Sequence, residues 1–270
     1  MGHPAEDQAA FNALASGYDA QFSNTEPGQQ LRRRVYALAQ LSYHPGMRVL
    51  ELNCGTGHDA LWFAKQGCAV TATDIAPEMV RQTAQKLSDA QHGDTCLAFV
   101  ADMRHLAQTP LPFSSCHLVW SNFGGLNCLS PCDLEQLNRD LSQRVTADGH
   151  FVAVVMGRWC LWEMAWFLLR GKWRRAFIRF QKGPVLVTLS ARQPPLPVWY
   201  YTPSEFCRHF PDFVVKATAP VGFWIPPSYL WPFIGRWPRW SRLLYFLERR
   251  GTVSHMAHGA DHFLILFKKK

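Results

Sequence analysis

Apolar residues in the first half of the chain fall in short blocks, most of which stop at a polar side chain. Residues 48–52 (RVLEL), 69–74 (AVTATD), 96–100 (CLAFV), 116–121 (CHLVWS) and 150–156 (HFVAVVM) read as five strands. Between them, 57–66, 77–91 and 131–144 carry helical periodicity, the last two opened by Pro77 and Pro131. Strands this apolar, separated by helices, predict a parallel sheet covered on both faces. The alternation then stops. Residues 158–182 read as one amphipathic helix, with Trp159, Trp162 and Trp166 on one face and Arg170, Lys172, Arg174, Arg175 and Arg179 following. A strand is expected at 185–190, a linker at 191–203, a helix from near Ser204, and further strands at 213–219 and 262–267. Residues 223–250 are rich in Trp, Pro and Arg, and no internal repeat is present.

Composition sharpens this division. Residues 1–150 hold 10 Lys and Arg against 15 Asp and Glu, whereas 151–270 hold 18 against 5. Nine of the 11 Trp also follow residue 150. The second half therefore has a basic, aromatic surface suited to an apolar or anionic contact. At 270 residues with 48% hydrophobic content, the chain can bury a sizeable core and is not disordered. No apolar run reaches the roughly 20 residues that span a bilayer. No secretory signal is expected at the N-terminus, and Glu6 argues against a myristoyl anchor. The eight scattered Cys read as buried apolar groups of a cytoplasmic protein, and Cys128 and Cys132 lack the partners of a metal site. His255, His258 and His262, with Asp261, have a spacing that could hold a metal, but His262 opens a strand, so no metal is expected.

The chemistry is concentrated at the strand ends. VLELNCGTGHDA, residues 49–60, runs a strand through a glycine turn into a helix start. Such a turn brings backbone N–H groups close to a polar ligand. Glu51, Asp74, Asp102 and Asn122 fall at the ends of successive strands, where ligands of open α/β sheets bind. A dinucleotide loop would need a third glycine, but Ala60 follows His58 and Asp59, and no Gly-Lys-Ser/Thr of a phosphate loop occurs. A nucleoside ligand without phosphate remains. Asp74, 17 residues past Gly57, is placed for the hydroxyls of a ribose.

Glu51-Leu-Asn-Cys-Gly55-Thr-Gly57, Asp74, Val100-Ala-Asp102-Met and Ser121-Asn122-Phe-Gly-Gly-Leu together resemble the class I S-adenosylmethionine-dependent methyltransferases of small-molecule type. Phe11, Tyr18 and Asp19 resemble the N-terminal element of such members. The resemblance implies a Rossmann-like, seven-stranded, mostly parallel sheet with helices on both faces, its last two strands antiparallel. Residues 1–156 would be the cofactor-binding core with an N-terminal lid helix. Residues 157–212 would be a cap insertion and linking helix. Residues 213–270 would be the closing strands, with a second cap at 223–258. By the same resemblance, Glu51 and the Gly55–Gly57 loop hold the methionine end and Asp74 the ribose, with Tyr18 and Ile75 beside them. Asp102 meets the adenine amino group, Met103 packs on the ring, and Asn122 borders the methyl group. Asn53 stands where the family usually has Gly, and Asn tolerates a left-handed backbone.

The expected activity is methyl transfer by in-line alignment, with S-adenosyl-L-methionine as cofactor. Tyr200, His258 and His262 are the candidate bases. The expected acceptor is small and hydrophobic or lipid-like, walled by Phe123, Trp159, Trp162, Trp166, Tyr200 and Trp224. SNFGGL in place of an Asn-Pro-Pro-aromatic segment disfavours the nucleic-acid and protein methylating branches that carry that signature. No DNA partner is expected, and RNA ranks as the alternative acceptor. A non-catalytic cofactor-binding protein that docks to a membrane or protein is the other alternative. The expected state is a monomer or homodimer, in the cytoplasm or peripheral at a membrane.

Overall fold

A computed structural model describes residues 4–188 and 195–270. Two helices precede the sheet: α1 (Pro4–Tyr18), continued by a π turn over Asp19–Ser23, and α2 (Glu26–Leu38). The core then alternates β1 (Arg48–Leu52), α3 (His58–Lys65), β2 (Ala69–Asp74), α4 (Pro77–Asp89), β3 (Cys96–Val100), β4 (Cys116–Ser121), α5 (Pro131–Arg144) and β5 (Val145–Met156). The second half follows as α6 (Leu161–Leu169), α7 (Trp173–Ala176), β6 (Val185–Val187), β7 (Leu196–Val198), α8 (Pro203–Cys207), β8 (Phe213–Val221), α9 (Trp231–Ile234), α10 (Pro238–Arg250) and β9 (His262–Lys269).

Seven strands form one sheet in the order β3-β2-β1-β4-β5-β9-β8, the first five parallel and β9 antiparallel to both neighbours. This is the expected Rossmann-like sheet. Alternate residues of each central strand enter different cores. Leu50, Val119, Phe151 and Ala153 pack towards α5 and α8, while Val49, Leu118, Trp120 and Val152 pack towards α2 and α3. Both faces are therefore covered, which is why these strands carry so few polar side chains.

The second half departs from the sequence reading. Residues 158–182 are not one helix. Gly171 takes φ +68°, and Lys172 N–H bonds back to Phe167 O at 2.8 Å, closing α6 in a left-handed cap. The short α7 and a 3-10 turn over Ile178–Phe180 follow. The strand expected at 185–190 ends at Val187, and residues 189 and 190 lie outside the described residues. Part of the expected linker is strand β7, antiparallel to β6 in a separate two-stranded sheet. Asn127 ties that sheet to the core, donating to Met156 O at 3.2 Å and Trp199 O at 2.6 Å. β5 starts at Val145 rather than 150, because Val145 pairs with Cys116 before a register shift. α2, which the periodicity reading passed over, is marked by a Thr25 side chain that accepts from Gly28 N–H and by Pro27 in its first turn.

Candidate functional site

The loop after β1 is held in a conformation that only its own residues fit. Asn53, Gly55 and Gly57 have φ of 48°, 55° and 79°. A Cβ on Gly57 would lie 2.8 Å from the Thr83 side chain, so α3 and α4 approach there only over glycine. The Thr83 hydroxyl in turn donates to Gly55 O at 2.9 Å. Asp74, at the end of β2, accepts from Gly55 N–H at 2.9 Å and from Ala76 N–H at 3.0 Å. Burial raises the Asp74 pKa, against the backbone hydrogen bonds that it accepts. Glu51 is buried one strand away, and its Oε2 has no hydrogen-bond partner. Burial pushes the Glu51 carboxyl well up, with Asp59 and Asp74 adding to the effect and Arg32 opposing it.

Asp59, in the first turn of α3, gathers four donors, two from α2 and two from the end of β4 and the loop after it. It accepts from the Arg32 guanidinium of α2, from Tyr36 Oη at 2.5 Å, from Trp120 Nε1 at 3.0 Å and from Asn122 Nδ2 at 2.8 Å. Burial works to raise its pKa, but Arg32 and these donors outweigh it and hold the carboxyl below the usual range. Arg32 stays charged and reaches the cavity wall, its guanidinium carbon 5.1 Å from the Phe123 ring centre. The sequence reading missed Arg32, Tyr36 and Asp59. The signal for Asp59 was its place just after Gly57; the signal for Arg32 was the unread start of α2.

The N-terminal segment closes one side. Asp19 accepts from Thr56 Oγ1 at 2.5 Å and Lys86 Nζ at 3.2 Å, and lies 3.1 Å from His58 Nε2. Burial lowers the His58 pKa, with Lys86 and Arg32 adding to it and Asp19 opposing, so the ring is neutral at pH 7. Burial pushes the Tyr18 phenol up to about 12. At the end of β3, Asp102 accepts from Arg104 N–H and Nε, both at 2.9 Å, and Arg104 Nη1 reaches Asp7 of α1 at 2.8 Å.

These residues surround a cavity of about 310 Å³. Tyr18, Asn53, Gly55, Asp74 and Ile75 line it, as do Asp102, Met103, Asn122, Phe123 and Tyr200. Glu51 and Gly57 stand behind its lining. The opposite wall is apolar: Leu129, Met156, and Val187, Leu196 and Val198 of the small sheet. Burial pushes the Tyr200 phenol up to about 12. At neutral pH it therefore donates a hydrogen bond and takes no proton.

The expected tryptophan walls lie elsewhere. Trp162 Nε1 donates to Phe223 O at 2.9 Å, and Trp224 Nε1 to Gly251 O at 3.2 Å. Trp166 packs on Phe233 and Trp159 on Phe180, 5.3 and 4.4 Å between ring centres. Their partners are other cap residues, so they pack the caps and do not line the cavity. His258 is exposed and off the cavity. His262 is buried behind Phe123, 5.8 Å between rings and 3.2 Å from Asp261.

Cys160, Glu163 and Asp261 form the one cluster with metal-ligand geometry among the described residues. Its centre is occupied by protein: the Arg179 guanidinium bonds Glu163, Asp261 at 2.9 Å and Gly157 O at 2.9 Å. The cluster is a buried ion pair network in which an arginine fills the place of a cation.

Residues 49–149 match a family model described as a methyltransferase domain. The chain is 35% identical over 85 residues to a malonyl-[acyl-carrier protein] O-methyltransferase of Anoxybacillus flavithermus, covering 31% of this chain and 30% of the relative. It is 32% identical over 117 residues to the ubiquinone/menaquinone biosynthesis C-methyltransferase UbiE of Cupriavidus pinatubonensis, covering 42% and 46%. The match thus spans less than half the length of either curated relative. Among solved structures, the [4+2]-cyclase SpnF shares the fold with a TM-score of 0.64, at 12% identity over 100% of this chain and 97% of that one.

Proposed function

We propose that this chain, whose residues 49–149 match a methyltransferase domain, is a class I S-adenosylmethionine-dependent methyltransferase that methylates a small, apolar, lipid-like acceptor. The observation that carries this reading is that one cavity is lined by two unlike sets of groups: the Gly55 loop, Asp74, Asp102 and Arg32, which are polar, and Phe123, Leu129, Met156, Val187 and Leu196, which are apolar.

The polar lining fits the cofactor. Asn122 Oδ1 is a buried acceptor without a partner on the cavity wall, and a ligand with ammonium or hydroxyl donors supplies what it lacks. Asp74 would hold the ribose hydroxyls and Asp102 the adenine edge, while Arg32 is the free-edged cation for the methionine carboxylate. S-Adenosylmethionine supplies a methyl group on a cationic sulfur, already activated for transfer.

The chain's own residues then do three things. The Asn53–Gly57 loop and the Asp59 network fix the donor side, so alignment costs little at the moment of reaction. The Asp19 contacts to Thr56, His58 and Lys86 hold the N-terminal segment over the cavity and keep water out. Where the acceptor must shed a proton, neutral His58 is the lining imidazole able to take it, and Tyr200 orients a polar acceptor atom as a donor.

The test is calorimetric titration with S-adenosylmethionine, with NADH as control, followed by transfer of a labelled methyl group to a quinol, a malonyl-acyl-carrier protein and a structured RNA. Binding of the first compound alone and labelling of the quinol support the reading. Labelling of RNA alone, or NADH preference, overturns it.

A further inference from the structure

The cap segments leave large apolar side chains outside the core, and these are not scattered. On α6 and α7, Leu169 is 88% exposed and Trp173 65%; on α9, at the start of α10 and within α10, Phe233 is 59%, Trp237 60% and Phe246 55%. The helices adjoin. Trp166 packs against Phe233, Arg170 lies 3.8 Å over the Trp166 ring, and Trp231 stacks on Tyr245 of α10 at 5.2 Å.

α10 shows the anomaly most clearly. Ser241, Leu244, Tyr245 and Glu248 face inward, as an amphipathic helix requires. Trp237, Trp240, Leu243 and Phe246 recur every three residues on the side left exposed. A helix apolar on both sides belongs between two apolar layers, and here only one is present.

Charge identifies the second layer. The segments 158–182 and 223–250 contain two carboxylates, Glu163 and Glu248. Both point inward, Glu163 to Arg179 and Glu248 to the N–H groups of Gly222 and Trp224, each at 2.8 Å. The exposed ionic groups are therefore all cationic: Arg170, Lys172, Arg174 and Arg175 beside Trp173, Arg239 and Arg242 beside Trp240. None forms an ion pair among the described residues. An acidic protein would satisfy the charges but leave much of the aromatic area in water. Head groups of an anionic bilayer satisfy both, with Trp and Phe at the acyl boundary and Arg at the phosphates. No described helix is long and apolar enough to cross a membrane, so the contact is interfacial.

We infer that α6, α7, α9 and α10 form one docking face for an anionic phospholipid bilayer. The segment that carries α6 and α7 reaches the cavity wall just beyond them, where buried Arg179 sits 4.7 Å over the ring of Tyr200. The inference does not depend on the acceptor's identity.

The full chain is sedimented with phosphatidylcholine vesicles, with and without about one third phosphatidylglycerol. It is expected to bind the anionic vesicles and to lose that binding as salt rises. Joint replacement Trp237→Ala, Trp240→Ala and Phe246→Ala should weaken partition at least about tenfold. Arg239→Glu with Arg242→Glu should remove the preference for anionic lipid. Unchanged circular dichroism and unchanged binding of S-adenosylmethionine in both variants separate this result from misfolding and from failure of the methyltransferase reading. No sedimentation of the parent chain with anionic vesicles overturns the inference. So does undiminished partition of both variants, or binding of an acidic carrier protein in place of vesicles.

Discussion

The side-chain amide of Asn53 donates to the backbone carbonyl of Asn122 at 2.8 Å, joining the end of β1 to the end of β4. The same side chain accepts from the Ser121 hydroxyl at 2.6 Å. Asn53 thus carries the left-handed backbone at a position where the family it resembles usually has glycine, and also fastens two strand ends that flank the cavity. Asn53→Gly relieves the backbone but loses both bonds, and should cost about 1 kcal/mol in urea unfolding. Asn53→Ala loses the bonds and keeps the strain, so it should cost more, about 2–3 kcal/mol. A glycine variant more stable than the parent would show that the two bonds contribute nothing.

Asp74→Ala removes the acceptor for Gly55 and Ala76 N–H and the carboxylate that faces the cavity. Affinity for S-adenosylmethionine should fall at least about tenfold, and Asp74→Asn should fall between the two. Calorimetry decides it: an Ala variant that binds as the parent does removes Asp74 from the site.

Burial of Glu51 costs stability as the pH rises. Its carboxyl titrates higher in the folded chain than in the unfolded one, so ionising it disfavours folding. Stability is fully present below the unfolded value, about 4.3, and declines as pH rises from there through the folded value. Glu51→Gln should remove that decline and raise Tm at pH 8 while weakening cofactor binding. A variant with lower Tm at pH 8 and a parent-like pH profile would rule this out.

Much of this was legible in the chain. β1, β2, β3 and β4 were readable because acids and glycines punctuate apolar runs, and α5 because Pro131 opens a helical period; the structure adds a capping box of Ser130 and Asp133. The lining residues Asp74, Asp102 and Asn122 followed from their places at strand ends. Arg32 did not, since nothing in LRRRV sets it apart from Arg33 and Arg34. Only the packing of α2 through Leu31 and Val35 turns Arg32 inward. Arg179 was likewise read among exposed cations, yet it is buried, because Gly171 ends the helix that would have kept it in phase with them.

Arg179→Met should therefore be costly, about 3–5 kcal/mol, because Glu163 and Asp261 would lose their buried counter-charge. Burial pushes the Asp261 carboxyl up, but His262 and Arg179 outweigh it and hold it well below the usual range. Its stabilising share is present above the unfolded value, about 3.9, and is lost as pH falls through the folded value. In the variant, acid unfolding should begin at higher pH. Adding Asp261→Asn should recover part of the loss; equal stability of the single and double variants would count against the ion network.

His262 pairs with Met156 on one side and Val221 on the other. The excursion 222–261 thus leaves and re-enters the sheet beside this one residue, while 157–212 leaves beside it and re-enters at Phe213, opposite Lys269. Closing a loop grows only with the logarithm of its length, about 0.6 kcal/mol per doubling. Either excursion can therefore be lengthened, shortened or exchanged with little effect on strand register, while the β1–β4 ends that line the cavity remain as they are. Under the proposed function, the sheet lets acceptor choice evolve as a replaceable module, independently of the methyl donor.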